Sequence, residues 1–284
     1  MKTTHCPLSR SILLCISLSG LTSTVFAQQL TLLWETPTQL PGVESVIYHP
    51  QTNVIYAANI IGHFMAKDGN GSIAKISLDG QIIDPEWVTG LDAPTGLGIH
   101  KGKLYVTDID RLVEIDITKA EISNTWPVQG AKAFNDIAIG ADGTVYVSDT
   151  GGDAVYALKS GSITKVLSNV RGPNGLLEAD GKFLMVLWYA QALYSVDLKS
   201  AQLMEIATGI ANPDGIESVG NGGFLLTGLN GLIYYLDENG QKTLLADTSG
   251  DQIQAADIDY IPSKKLLLVP TLNSDKVMAY RLEL

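Results

Sequence analysis

Apolar and polar positions alternate in short runs along nearly the whole chain, and Gly, Pro, Asn or Asp interrupts the runs every 8 to 12 residues. A period of two places successive side chains on opposite faces of a strand, and short runs bounded by turn residues predict an all-β chain. The most apolar runs are "NVIYAANI", "KLYVTDI", "TVYVSDT", "KFLMVLW", "GFLLTGL" and "KLLLVPTL". Each follows a Gly-, Pro- or Asn-containing turn and precedes a further strand, as in "SIAKISLDG" or "AVYALKSG".

These units repeat. A short pattern heads each one: "VESVIYHP", "PTGLGIHKG", "FNDIAIGADG", "PNGLLEADG", "PDGIESVGNG" and "AADIDYIPS". Their second residues are Glu44, Thr95, Asn135, Asn174, Asp214 and Ala256, spaced by 51, 40, 39, 40 and 42 residues. All but the first spacing match a four-stranded propeller blade. The sixth unit ends at Leu284 after its third strand, whereas "LTLLWET" (residues 30–36) precedes the first unit and belongs to none. Pairing the two would remove a pair of open edges. The expectation is a six-bladed β-propeller over residues 28–284, its last blade closed by the N-terminal strand.

Inner strands of a propeller line the central channel, so six pattern residues at their heads form a ring at one channel end. Asn135 and Asp136 thus stand where β propensity disfavours them because Asn135 points into a shared cavity. Glu44, Asn135, Asn174 and Asp214 offer two carboxylates and two amide carbonyls, Thr95 adds a hydroxyl, and Ala256 adds nothing. Taken singly, Asn-Asp, Asn-Gly and Asp-Gly are ordinary turn dipeptides. As a set at equivalent places, they suit a hard divalent cation, calcium before magnesium, and zinc least because no His or Cys belongs to the ring. Asp136 and Asp257 follow ring positions by one residue and are expected to point away from the channel, satisfying turn amides.

Composition adds a compartment. Lys2 and Arg10 precede the apolar run "SILLCISLSGL", and Val25 and Ala27 form an A-x-A-like end, which together predict a signal peptide over residues 1–27. The expected product is exported, periplasmic or secreted, with no membrane span. Both cysteines, Cys6 and Cys15, lie in that leader, so core burial rather than disulfides must stabilise the remainder. The whole sequence has 19 basic and 30 acidic residues, and cleavage would deepen the excess. This charge disfavours nucleic acid and anionic membrane as partners; it keeps an exported protein soluble and is compatible with a bound cation.

At the ring residues the sequence resembles the family of gluconolactonases, senescence marker protein 30 and diisopropylfluorophosphatase, over nearly all of residues 28–284. In that family an early Glu, the Asn of Asn-Asp, the Asn of Pro-Asn-Gly and the Asp of Pro-Asp-Gly approach a catalytic metal. Glu44, Asn135, Asn174 and Asp214 match in that order. The resemblance implies hydrolysis of a small lactone or ester, with Asp214 as base or nucleophile, Asn135 at the reacting centre and Glu44 as a ligand. It departs at Ala133, where sugar-acid lactonases of the family carry an Arg, so a polyhydroxy-acid substrate would lose an anchor.

Strand directions place His63, Asp149, Trp188, Tyr189 and Asn230 near the mouth. His63 lies in the long loop "IIGHFMAKDGNG" and is a candidate general base or simply an exposed side chain. Thr95, Asp149, Trp188 and Tyr189 are candidate substrate contacts, with Trp188 and Tyr189 equally suited to pack between blades. A G-x-S-x-G elbow, a phosphate-binding Gly loop and metal-spaced Cys or His pairs are absent from the sequence. The competing reading is a binding propeller resembling the NHL-repeat proteins, with a structural cation or none, because propellers host many functions.

Overall fold

The alternating runs form strands that pair in blocks of four. The computed structural model describes residues 1–2 and 28–284, so the expected leader falls almost wholly outside the described residues. Blade one contains β2 (Val43–His49), β3 (Val54–Asn59), β4 (Gly71–Ser77) and β5 (Ile82–Leu91). Blade two contains β6 (Pro94–His100), β7 (Lys103–Asp108), β8 (Arg111–Asp116) and β9 (Glu121–Pro127). Blade three runs β10 (Phe134–Ile139), β11 (Val145–Asp149), β12 (Ala154–Lys159) and β13 (Ser162–Ser168). Blade four runs β14 (Pro173–Ala179), β15 (Lys182–Leu187), β16 (Ala192–Asp197) and β17 (Gln202–Thr208). Blade five has β18 (Pro213–Gly220), β19 (Gly223–Gly228), β20 (Leu232–Leu236) and β21 (Lys242–Asp247).

Blade six joins the two ends of the chain. Its order is β1 (Gln29–Glu35), β24 (Val277–Glu283), β23 (Leu266–Pro270) and β22 (Asp259–Ile261). The described chain is therefore the six-bladed propeller that the repeat predicts, closed by its N-terminal strand. Inner strands β2, β6, β10, β14, β18 and β22 touch their neighbours around the ring. The core lies between facing blades: Val46, Ile55 and Ile76 of blade one pack with Leu266, Leu268 and Val277 of blade six. Such sheet-on-sheet burial at every interface explains why second strands read as continuous apolar runs, with β3 and β23 buried throughout.

A second device closes the same seam. Strand β22 has only three residues, and the segment before it bonds both its own sheet, through the Ala256 amide to the Pro270 carbonyl, and blade one. The Asp257 amide donates to the Glu44 carbonyl at 3.0 Å, and Ser45 and Asp257 form a parallel bridge. The Tyr48 amide donates to Asp259 Oδ2 at 2.7 Å.

Removing residues 28–37 should nonetheless be severe. It strips β24 of a partner paired from Gln29 opposite Glu283 to Glu35 opposite Met278, and breaks the 2.8 Å Lys276–Glu35 ion pair. The bared edge carries Val277, Ala279, Tyr280 and Leu282, all buried in the intact ring. Thermal unfolding and size-exclusion chromatography should show lost cooperativity or aggregation. A truncated protein that melts like the intact one would refute closure by β1.

Candidate functional site

Every complete inner strand is irregular at its head. Pairing shifts register by one residue between Val43 and Ser45, Pro94 and Leu97, Phe134 and Ile137, Pro173 and Leu176, and Pro213 and Ile216. Glu44, Thr95, Asn135, Asn174 and Asp214 all lie within these bulges. A bulge inserts one residue, ends the alternation and re-aims side chains, so polar residues occupy these heads without joining the regular pleat.

The residue after each ring position faces the next inner strand. At Gly175 a Cβ would lie 2.1 Å from the Asp214 carbonyl oxygen, and at Gly96 one would lie 2.3 Å from that of Asn135. Only glycine permits this approach. In blade three the place belongs to Asp136, which accepts the Leu176 amide of blade four and its own neighbour Ile137, both at 2.6 Å. In blade six it belongs to Asp257, which accepts the Ser45 hydroxyl at 2.9 Å. The expectation that Asp136 and Asp257 point away from the channel is therefore corrected. With Glu217 and Asp259 they line a central cavity of about 40 Å³; in blade three the register shift between Phe134 and Ile137 turns Asp136 inward, and in blade six the bridge of Asp257 to Ser45 of blade one does so.

Three ring residues share one feature. The Asn174 amide nitrogen donates to Asp214 Oδ1 at 2.8 Å and to the Pro213 carbonyl at 3.2 Å, which leaves Asn174 Oδ1 outward from that pair. Asn174 Oδ1, Asp214 Oδ2 and Glu44 Oε2 are buried with no hydrogen-bond partner. An unpaired buried carboxylate is costly, so it must take up a proton or a cation. Burial, reinforced by Asp214, Asp257 and Asp136, raises Glu44 well above the usual carboxylate range. Burial and then Asp257 push Asp214 up to about 8, against the lowering effect of the Asn174 hydrogen bond. Asp257 and Asp259 rise to about 6 and about 7, chiefly through burial. Among the described residues, no three His, Cys, Asp or Glu side chains gather as a metal-holding group. The cradle instead mixes carboxylate with amide oxygen, a hard donor set.

Asn135 is half-buried, its main chain held by neighbours. Thr107 donates to its carbonyl at 2.6 Å, and the Thr95 hydroxyl lies 3.0 Å from the same oxygen and 2.8 Å from Thr107. Thr95 is thus a strap on the next inner strand rather than a free substrate contact. Asp149 is corrected likewise: it is fully buried and accepts the amides of Lys132, Ala133 and Gly152. Asp108 does the same in blade two for Asp92 and Ala93. The recurrence of Asp at the ends of β7 and β11 is a readable sign of a structural role.

The mouth loops fall where strand direction places them. His63 is exposed, stacks on Phe64 at 4.8 Å and accepts the Met65 amide at 3.1 Å. Trp188 is half-buried, whereas Tyr189 is 62 % exposed beneath the Arg171 guanidinium, 5.3 Å from its ring centre. Sequence reasoning misses Asn59, which ends β3 opposite Val43 and holds a further buried unpartnered oxygen beside the Glu44 bulge. Asn230 Oδ1 is also unpartnered.

No family model matches the chain, and no curated protein does. Solved structures share the fold. A proposed gluconolactonase aligns with a TM-score of 0.69 at 16 % identity, covering 90 % of this chain and 92 % of the other. Virginiamycin B lyase from Staphylococcus aureus, as a catalytically inactive variant with quinupristin, aligns at 0.62 with 15 % identity, covering 90 % and 99 %. A streptogramin B lyase aligns at 0.61 with 13 % identity, covering 90 % and 98 %.

Proposed function

We propose that the protein is a divalent-cation-dependent hydrolase of small lactones or esters, with calcium the first choice of ion. The observation that carries this reading is the set of three buried, unpartnered oxygens on Glu44, Asn174 and Asp214. Asn135, the fourth proposed ligand, stands at the equivalent bulge. A bound cation would polarise an ester carbonyl and offset charge developing on its oxygen. Glu44, Asn135, Asn174 and Asp214 would hold the ion in this proposal. Asp214 would take a proton from water as the water oxygen bonds to the acyl carbon; the acyl–oxygen bond then breaks, and the leaving alkoxide receives that proton back from Asp214. The gluconolactonase-like neighbour supports this reading. Among the described residues no helix is long and apolar enough to cross a membrane. Export, resting on the residue 1–27 pattern, belongs to the same proposal.

Glu44→Gln should weaken calcium binding by at least roughly tenfold in calorimetry while the fold persists, since it removes one of two charges that offset a divalent ion. Wild-type protein that binds no calcium, and copurifies with no other divalent metal, would overturn the metal reading. Hydrolysis of γ- and δ-lactones, an aryl ester and a phosphotriester, with and without chelator, tests the enzyme reading. The lyase neighbours favour one alternative chemistry, and product mass separates the two, because hydrolysis adds one water and elimination adds none. The structural use of Thr95 and Asp149 favours a second alternative, a binding propeller, which tight calcium binding without any turnover would select.

A further inference from the structure

We propose that Arg171 selects esters or lactones that carry a carboxylate distal to the scissile carbonyl, an inference that rests on the hydrolase reading. Arg171 lies three residues before Asn174, and three residues of chain span at most about 10 Å. Arg171 is exposed on the mouth side, since Pro173 of β14 pairs with Leu187 and places the 169–172 and 188–191 loops at the ring end. The segment is held firmly. Gly172 donates to Asp153 Oδ1 at 2.9 Å, Thr150 donates to the Pro173 carbonyl at 2.6 Å, and Trp188 donates to the Gly172 carbonyl at 2.8 Å.

Tyr189 completes the arrangement. Its ring lies so close over Gly172 that a Cβ there would fall 2.7 Å from Tyr189 Cδ2, and the Arg171 guanidinium lies over that ring. Stacking fixes the plane of the guanidinium while leaving its N–H edge available to a planar anion. The ion pairs of the described residues engage Lys67, Lys103, Arg111, Lys159 and Lys276, and Arg171 is in none of them. What sets Arg171 apart from the other unpaired cations is its place three residues before Asn174 and its stacking on the exposed Tyr189 ring. A carboxylate anchored there would sit within a small molecule's length of the ring, with Tyr189 and Trp188 as the adjoining wall. This supplies, from blade four, a charged anchor that Ala133 does not.

The test compares phenyl acetate with 4-carboxyphenyl acetate under calcium saturation. Wild type should favour the carboxylate roughly tenfold in kcat/KM, the scale of one charge-assisted contact, and added salt should shrink the preference. Arg171→Ala should abolish the preference through KM while leaving phenyl acetate unchanged; Arg171→Lys should restore part of it. Equal turnover of both esters by wild type, or a preference that survives Arg171→Ala, overturns the inference while leaving the hydrolase reading intact. If neither ester is turned over, calorimetry with the unreactive 4-acetamidobenzoate decides. Arg171-dependent binding would support the anchor although hydrolysis failed, and no binding would overturn it.

Discussion

Asp214→Asn is expected to lower calcium-supported turnover by roughly 10²- to 10³-fold, the scale seen when one preorganised electrostatic group is removed from a reacting centre. The substitution keeps the side chain's size and an oxygen able to accept from Asn174, so the fold should survive. What disappears is the charge on a carboxyl whose Oδ2 is buried without a partner. The same change should stabilise the metal-free protein at alkaline pH, because it removes a buried group that must otherwise ionise. Activity and stability therefore move in opposite directions, a pairing expected of a site held in a costly state for function. Steady-state hydrolysis together with chelated thermal melts measures both, and a variant that keeps wild-type turnover would remove Asp214 from the chemistry. His63→Ala should change turnover far less, since that ring is exposed and bound only within its own loop.

Metal-free protein should lose stability continuously as pH rises from about 4 to about 8. Below about 4 the carboxyls are protonated in folded and unfolded chains alike, and their contribution to stability is intact. Above that, the unfolded chain ionises, whereas Asp257, Asp259 and Asp214 keep their protons until about 6, about 7 and about 8. The folded state then binds more protons than the unfolded one, so stability falls through this window. Each tenfold difference in proton affinity between folded and unfolded chain is worth about 1.4 kcal/mol, so the loss is large against ordinary domain stability. Millimolar calcium should reverse much of the loss, raising Tm far more at alkaline than at acidic pH. Melts across this range with chelator and with calcium provide the check. Chelated protein with a flat profile would contradict the buried-acid account.

The blades are legible in the sequence because each repeats the same order of an interrupted strand head, an apolar second strand and a polar turn. Closure is legible because one strand is left over before the first unit and one is missing from the last. The direction of Asp136 and Asp257 is not: a register shift re-aims Asp136, since alternation predicts faces only while pairing stays in register, and Asp257 is turned by a bridge to blade one that its own blade does not foretell. Thr95 and Asp149 mislead for a related reason. Sequence places them at the ring end but does not reveal that the Thr95 hydroxyl donates to the Asn135 carbonyl or that Asp149 accepts the amides of Lys132, Ala133 and Gly152. Asn59 escapes notice because nothing in its own blade repeats, and its interest arises only from an adjacent bulge. The ring residues Glu44, Asn174 and Asp214 can be found because their equivalence by position survives the irregularity that hides their neighbours.

The pairing of β1 with β24 also governs the order of events in folding. Partners such as Gln29 and Glu283 stand at opposite limits of the described chain, so the first strand made is the last that can be used. Local hairpins within blades one to five form from sequence neighbours, but the ring must wait for a contact of the highest separation, with its large loop-closure entropy. Until then β1 carries Leu32 and Leu33 without a partner, and both remain partly exposed even after docking. In the finished molecule the two ends run side by side, so the point at which the ring is cut is indifferent to native contacts. It decides only which strand is kept waiting.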